Sequence, residues 1–212
     1  MDDHPRNWEL HEFRVEPAKR ADFLTIWHDR VRPLAEHHGP EIIGGWFVEG
    51  ENRFLWLVDR GKSISDDPLA EDWVQLLAHH GHLGAERLPL GLEALTYFPR
   101  PRLDRERCVL IEIRAERGQE ADDTGTLRDD CLPMMAKHGI RAAGIWRVVE
   151  TERLLLLVTV DTLDQSAAWA ALEADPDWAR LTTCRQAIAD SKRRSLLLPS
   201  DEPDPVGETT RP

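Results

Sequence analysis

The sequence predicts an α+β protein made of two ferredoxin-like βαββαβ repeats, packed sheet to sheet as one intramolecular α/β barrel. Three observations carry that prediction. First, the chain repeats itself at a spacing of one hundred residues. Val31-Arg32-Pro33-Leu34-Ala35-Glu36-His37-His38-Gly39 returns as Cys131-Leu132-Pro133-Met134-Met135-Ala136-Lys137-His138-Gly139. The same offset pairs Glu12 with Glu112, Arg14 with Arg114, Gly44-x-Trp46 with Gly144-x-Trp146, and Arg53-x-Leu55 with Arg153-x-Leu155. Solenoid units run about 20 to 50 residues, so this period is a whole small domain. Second, each copy carries strand and helix signals in the order β-α-β-β-α-β. Third, Leu154 to Val158 is apolar at every position, whereas a strand with one solvated face alternates. Helices can cover one side of such a strand; the sheet of the other repeat most economically covers the other.

Residues 8–15 are rich in β-formers and stop at Glu16-Pro17, which reads as a strand. Its counterpart places Val109, Ile111, Ile113 and Ala115 on one face, with Leu110, Glu112 and Arg114 on the other. Residues 19–38 follow as a helix whose apolar stripe is Phe23, Ile26, Trp27, Arg30 and Leu34. Gly39 ends it, and Pro33, like Pro133, should kink or interrupt it. Two strands come next, 42–49 and 54–58, matched by 143–149 and 154–160. A second helical region spans 166–191 with Pro176 at a helix start, against only a short acidic stretch, 63–71, in the first copy. Short closing strands, 94–98 and 195–198, end at proline. These elements give domains at 1–102 and 103–200, with 201–212 as a polar, disordered tail.

A net charge of −12 argues against a nucleic-acid surface, which needs a basic patch. Cys108, Cys131 and Cys184 are scattered, so neither a disulfide framework nor a zinc site is supported. The first residues lack a signal peptide and no apolar run reaches the roughly 18 residues of a membrane span. A cytoplasmic protein with no membrane contact is the default expectation. The chain would act as a monomeric pseudo-dimer or as a homodimer of such units.

Trp8 to Pro17, Phe23-Leu24-x-x-Trp27, Pro33-Leu34, His38-Gly39, Gly45-Trp46, Leu55-Trp56, Asp175-Pro176-Asp177-Trp178 and Leu196 to Pro199 resemble the NIPSNAP family of dimeric α/β-barrel proteins. The likeness covers residues 8–100 and, more weakly at its start, 108–199. It implies two such domains around a central barrel, here fused. The wider superfamily includes cofactor-independent monooxygenases, cyclases, isomerases and haem proteins. The second copy departs from the pattern, with Leu127 and Leu156 where the first has Trp27 and Trp56. Any site is therefore expected to be asymmetric.

Candidate site residues follow from chemistry and from that asymmetry. Glu12, Arg14, Glu112 and Arg114 lie opposite the apolar strand face and point toward the barrel interior if that face meets the helices. Ion pairing is their structural reading; the functional one makes Glu12 and Arg14 catalytic, with His28 as an acid or base. His11, Trp27, Trp46, Trp56, Glu112 and Arg114 are the expected ligand contacts, with the pocket lined mainly by the first half. His38 and His138 suit helix ends, where imidazole caps carbonyls. His79, His80 and His82 form a local cluster at no recognised ligand spacing, so no metal is expected. No phosphate loop, nucleophile elbow or cofactor motif is present, so no cofactor is called for. The leading reading is a barrel that handles a small hydrophobic or aromatic metabolite, as a cofactor-independent monooxygenase or cyclase. The alternative is a non-catalytic small-molecule-binding or protein-interaction module, and a third is a haem-binding barrel.

Overall fold

Eight antiparallel strands close into a barrel in the order β1-β3-β2-β8-β5-β7-β6-β4. They are β1 (Asn7–Val15), β2 (Glu41–Val48), β3 (Arg53–Asp59), β4 (Gly84–Tyr97), β5 (Cys108–Arg114), β6 (Ile140–Val148), β7 (Arg153–Val160) and β8 (Arg193–Pro199). The computed structural model describes residues 7–38, 41–60, 84–98, 103–114, 124–149, 151–162, 164–181, 188 and 193–200. Within each repeat the strand order is that of a ferredoxin-like sheet. Two seams join the repeats: β4 pairs with β6 from Leu92 against Val148, and β2 pairs with β8 from Trp46 against Pro199. The expected α/β barrel is formed within one chain.

Alternation along the strands then sorts three cores. Val109, Ile111, Ile113, Leu154, Leu156 and Val158 face outward onto helices of the second repeat. Phe13, Val15, Phe47, Phe54, Trp56 and Val58 do the same in the first. The third core draws on both repeats: Trp8, Trp46, Val48, Leu55, Leu57, Leu110, Trp146, Leu155, Leu157 and Leu197 fill the barrel interior. Strand β7 is buried on both faces, as its unbroken apolar run requires.

The Gly-x-Trp pairs explain themselves in this interior. Each indole folds back along its own strand, so that a Cβ on Gly44 would overlap the Trp46 ring and one on Gly144 the Trp146 ring. Trp46 Nε1 donates to the Glu106 carbonyl at 3.3 Å, in the segment linking the repeats, where Leu103 is also buried. Trp146 packs against Trp8 with ring centroids 5.4 Å apart.

Four sequence expectations are corrected. The first helix is interrupted ahead of its proline, as expected, and the interruption is a π turn that shifts the expected apolar stripe. Helix α1 (Arg20–Ile26) passes into a π turn, Trp27–Val31, before α2 (Arg32–His38). The turn closes with the Arg32 N–H on the Trp27 carbonyl, one residue ahead of Pro33. A widened turn relieves the clash between the proline ring and the carbonyl four residues back. The second repeat solves the problem identically, with π turn Leu127–Cys131 leading into α3 (Leu132–Lys137). The extra residue also moves the apolar stripe: Trp27, Val31 and Ala35 are buried, while Arg30 is exposed.

Strand β4 starts ten residues earlier than the expected 94. Pro89 reads as a breaker, yet it falls where the β1–β4 register shifts between Leu10 and Glu12. Such a bulge accepts a residue without an N–H. His138 does not cap carbonyls; its Nε2 lies 2.9 Å from Asp175 Oδ2. That bond, first among the causes, holds the Asp175 carboxyl below the usual aspartate value. Asp175 also caps the helix at Pro176, joining α4 (Gln165–Ala174) to α5 (Pro176–Arg180). Finally, Cys131 is disulfide-bonded while Cys108 is a buried free thiol. Cys184, the third cysteine of the chain, lies outside the described residues, as does the 63–71 stretch. Sequence spacing alone does not reveal which cysteines meet in space.

Candidate functional site

The sheet separates the expected site residues into two groups. On β1, Trp8, Leu10, Glu12 and Arg14 belong to the inner face, whereas Glu9, His11, Phe13 and Val15 belong to the outer one, under the helices. Trp46, Glu112 and Arg114 are also on inner-facing positions. Trp27, Trp56 and His11 are in the outer layer, and His28 sits half-buried in the π turn on that same side. Glu12 and Arg14 therefore do not join His28 in one catalytic set, and Trp46 does not share a pocket with Trp56. Strand alternation forbids both combinations. An alternating pattern read without knowing the face cannot make that distinction.

The outer face of repeat one holds a polar relay. His11 Nε2 lies 3.0 Å from Glu9 Oε2, and Arg60 Nη2 lies 2.9 Å from the same oxygen. The His11 ring, 5% exposed, meets Trp56 edge-on with centroids 4.7 Å apart, and Trp56 meets Trp27 at 4.6 Å. Burial by itself would push the Glu9 carboxyl up. The hydrogen bond from His11 and the charge of Arg60 overcome it, and Glu9 ends below the ordinary glutamate value of 4.5. The Glu9 carboxylate fixes the orientation of the His11 ring, as a carboxylate does where a histidine is positioned for proton transfer.

Every member of this relay is aliphatic in repeat two. Val109 stands for Glu9, Ile111 for His11, Leu156 for Trp56 and Val160 for Arg60. His11 and Trp56 were legible as candidates; Glu9 and Arg60 were not. The signal that finds them is the hundred-residue offset read at polar-to-aliphatic positions rather than at aromatic ones. Packing alone favours the aliphatic set, since exchanging buried ionic groups for apolar ones is often neutral or stabilising.

The pH dependence of this relay has a definite sign. A carboxyl held below its unfolded value adds stability that is complete above that value and drains away as pH falls through the lowered one. Glu9→Gln removes the contribution. Thermal unfolding followed from neutral pH downward is expected to show a shallower loss below pH 4.5 in the variant than in the wild type.

The inner face carries ion pairs at the barrel mouth. Glu12 Oε2 is 2.7 Å from Arg53 Nη2, with the two side chains 17% and 10% exposed. The expected Glu–Arg pairing is thus present, with Arg53 of β3 as the partner of Glu12 while Arg14 is exposed. In repeat two the corresponding Glu112–Arg153 distance opens to 3.7 Å. A cavity of about 290 Å³ lies there, lined by Glu112, Ile113, Arg114, Thr151, Glu152 and Arg153. This cavity belongs to the second half.

A haem does not fit these residues. His11 is engaged with Glu9 and packed against Trp56, and the cavity beside Arg153 is lined by no histidine, cysteine, methionine or tyrosine. Among the described residues no group of three His, Cys, Asp or Glu could hold a metal ion. His79, His80 and His82 lie outside the described residues. No described helix is long and apolar enough to cross a membrane.

With the geometry in place, the class is clear: a ferredoxin-like dimeric α/β barrel carried on a single chain. Solved structures share it. A provisionally assigned monooxygenase from Lactobacillus acidophilus superimposes with a TM-score of 0.65 at 11% identity, over 93% of this chain and 95% of that one. Another such assignment, from Fusobacterium nucleatum, gives 0.64 at 11% identity, over 92% and 93%. An anthrone oxidase-like protein gives 0.55 at 13% identity, over 92% and 91%. Since these matches span nearly whole chains, the likeness extends through both repeats. At such identity it concerns the fold. No family model and no curated protein matches the sequence.

Proposed function

We propose that the chain is a small-molecule-handling barrel that moves a proton on an aromatic or polyketide-type metabolite, as a cofactor-independent monooxygenase or cyclase does. The observation that carries this reading is the His11–Glu9–Arg60 relay against Trp56, a costly polar arrangement found in one repeat and replaced by aliphatics in the other. In it, His11 takes the proton, Glu9 stabilises the imidazolium, and Arg60 keeps Glu9 ionised. Abstraction of a proton from an activated ring or β-dicarbonyl carbon is the first step common to oxygen addition and to ring closure. The neighbours' monooxygenase and anthrone oxidase-like designations support the same chemistry. The reading includes NIPSNAP-like ancestry, on the strength of the sequence resemblance, and a cytoplasmic setting.

The test compares wild type with His11→Ile, the residue that repeat two already carries at this place. Binding of aromatic and polyketide-type metabolites would be screened by thermal shift, and oxygen uptake measured with an anthrone as probe. The variant is expected to stay folded yet lose turnover by about 100-fold or more, the scale of a lost general base. Equal turnover in both proteins would sink the assignment of His11.

A second reading, a non-catalytic binding or interaction module, is favoured by the barrel interior, which is filled by its own tryptophans and leucines. Wild-type protein that neither binds nor turns over any compound of the screen would select it.

A further inference from the structure

Strands β1 and β5 lie four apart in the closed antiparallel ring, so they run the same way. Glu12-x-Arg14 and Glu112-x-Arg114 therefore reach the same mouth of the barrel. There Arg14 stands directly opposite Arg53, and Arg114 directly opposite Arg153. Like charges facing each other across paired strands repel unless an anion stands between them.

Repeat one supplies its anions internally. Arg53 donates from Nη2 to Glu12 Oε2 at 2.7 Å and from Nη1 to Glu51 Oε2 at 3.2 Å. The second of these carboxylates is missing from repeat two, where Thr151 stands at the place of Glu51. The Thr151 hydroxyl serves the turn instead, donating to the Val148 carbonyl at 3.0 Å and accepting from the Arg153 backbone N–H at 3.3 Å. Arg153 is left with Glu112 at 3.7 Å, and the 290 Å³ cavity opens beside it.

We propose that this cavity binds the carboxylate of a small organic acid, which takes at Arg153 the place that Glu51 holds at Arg53. The inference is independent of the proton-transfer reading above, which concerns the other face of the other repeat. Two features favour a monocarboxylate over phosphate. The internal counterpart, Glu51, is itself a carboxylate, held by one charge-assisted hydrogen bond from Arg53 Nη1. Glu112 and Glu152 line the same cavity and repel a dianion more strongly than a monoanion.

The test is a titration of the intact chain, followed by amide chemical shifts, at constant ionic strength. The probes are benzoate, its neutral counterpart benzamide, and inorganic phosphate. Benzoate is expected to move the amides of residues 112–114 and 151–153 saturably. Benzamide should bind at least about tenfold more weakly, the loss of one charge-assisted hydrogen bond. Phosphate should also be weaker than benzoate. Thr151→Glu supplies the missing carboxylate internally, so it should abolish benzoate binding and shift those amides toward their bound positions. Arg153→Gln should weaken benzoate at least about tenfold by the same arithmetic, and it reads out the idea even if Thr151→Glu fails to fold. Unmoved amides, equal effects of benzoate and benzamide, tighter binding of phosphate, or undiminished binding in Arg153→Gln would each overturn it.

Discussion

Gly45→Ile is expected to destabilise the protein by about 3 kcal/mol or more, at the upper end of overpacking costs in a filled core. A Cβ at Gly45 would lie 2.8 Å from Phe54 Cζ and 2.9 Å from Trp27 Cζ2, closer than carbon atoms sit without something moving. Repeat two carries Ile145 at this position, but with Leu127 and Leu154 in place of Trp27 and Phe54, all three buried. The two repeats thus fill the same space with different partitions of volume. Trp27→Leu with Phe54→Leu should by itself leave a cavity and also cost several kcal/mol, about 3. Combining all three changes should recover most of the loss, a strong non-additivity between residues in contact. Urea midpoints of the four proteins measure it. If the triple variant is as unstable as the sum of its parts, the exchange is not one of packing. The same result bears on function, because a Trp27 explained by Gly45 is not reserved for a ligand.

The second large effect separates the two mouth ion pairs. Glu12→Gln leaves the guanidinium of Arg53, a residue 8% exposed, with Glu51 as its carboxylate partner. Breaking a buried pair from one side costs about 3 kcal/mol at the low end of the usual range. Burial alone would push the Arg53 guanidinium down, and its hydrogen bond to Glu12 helps to hold it above its ordinary value instead. The equivalent change, Glu112→Gln, touches a pair at 3.7 Å with Arg153 about two-fifths exposed, and should cost under about 1 kcal/mol. Denaturant unfolding of the two variants decides the matter. Equal losses would mean that the repeats have not diverged at this mouth.

Much of the fold was legible in the sequence because its signals are local or periodic. The offset exposed the duplication, alternation placed β5 to a residue or so, and the unbroken apolar run of β7 required cover on both faces. What escaped depends on departures from regular period. The π turn at Trp27–Val31 adds a residue to the helical repeat and moves burial from Arg30 to Val31. The bulge opposite Leu10 and Glu12 lets β4 run through Pro89, which a propensity argument treats as a stop. The candidate site was half visible. His11 and Trp56 stood out by residue type, but Glu9 and Arg60 look like ordinary strand-end charges until their aliphatic counterparts are set beside them. The inward face of Glu12, Arg14, Glu112 and Arg114 followed from alternation, whereas the separation of His11 and Trp56 from them followed only once the sheet was closed.

Closure within one chain is the claim on which the rest depends, and amide hydrogen exchange in the native state tests it most directly. The seams between repeats are β4 with β6 and β2 with β8, including Phe47 opposite Leu198 and Leu92 opposite Val148. If one chain makes one barrel, amides bonded across these seams should be protected as strongly as those between β1 and β3 or between β5 and β7, and should open only with global unfolding. Seam amides that exchange freely while the strands inside each repeat stay protected would mean two separate sheets, and no intramolecular barrel.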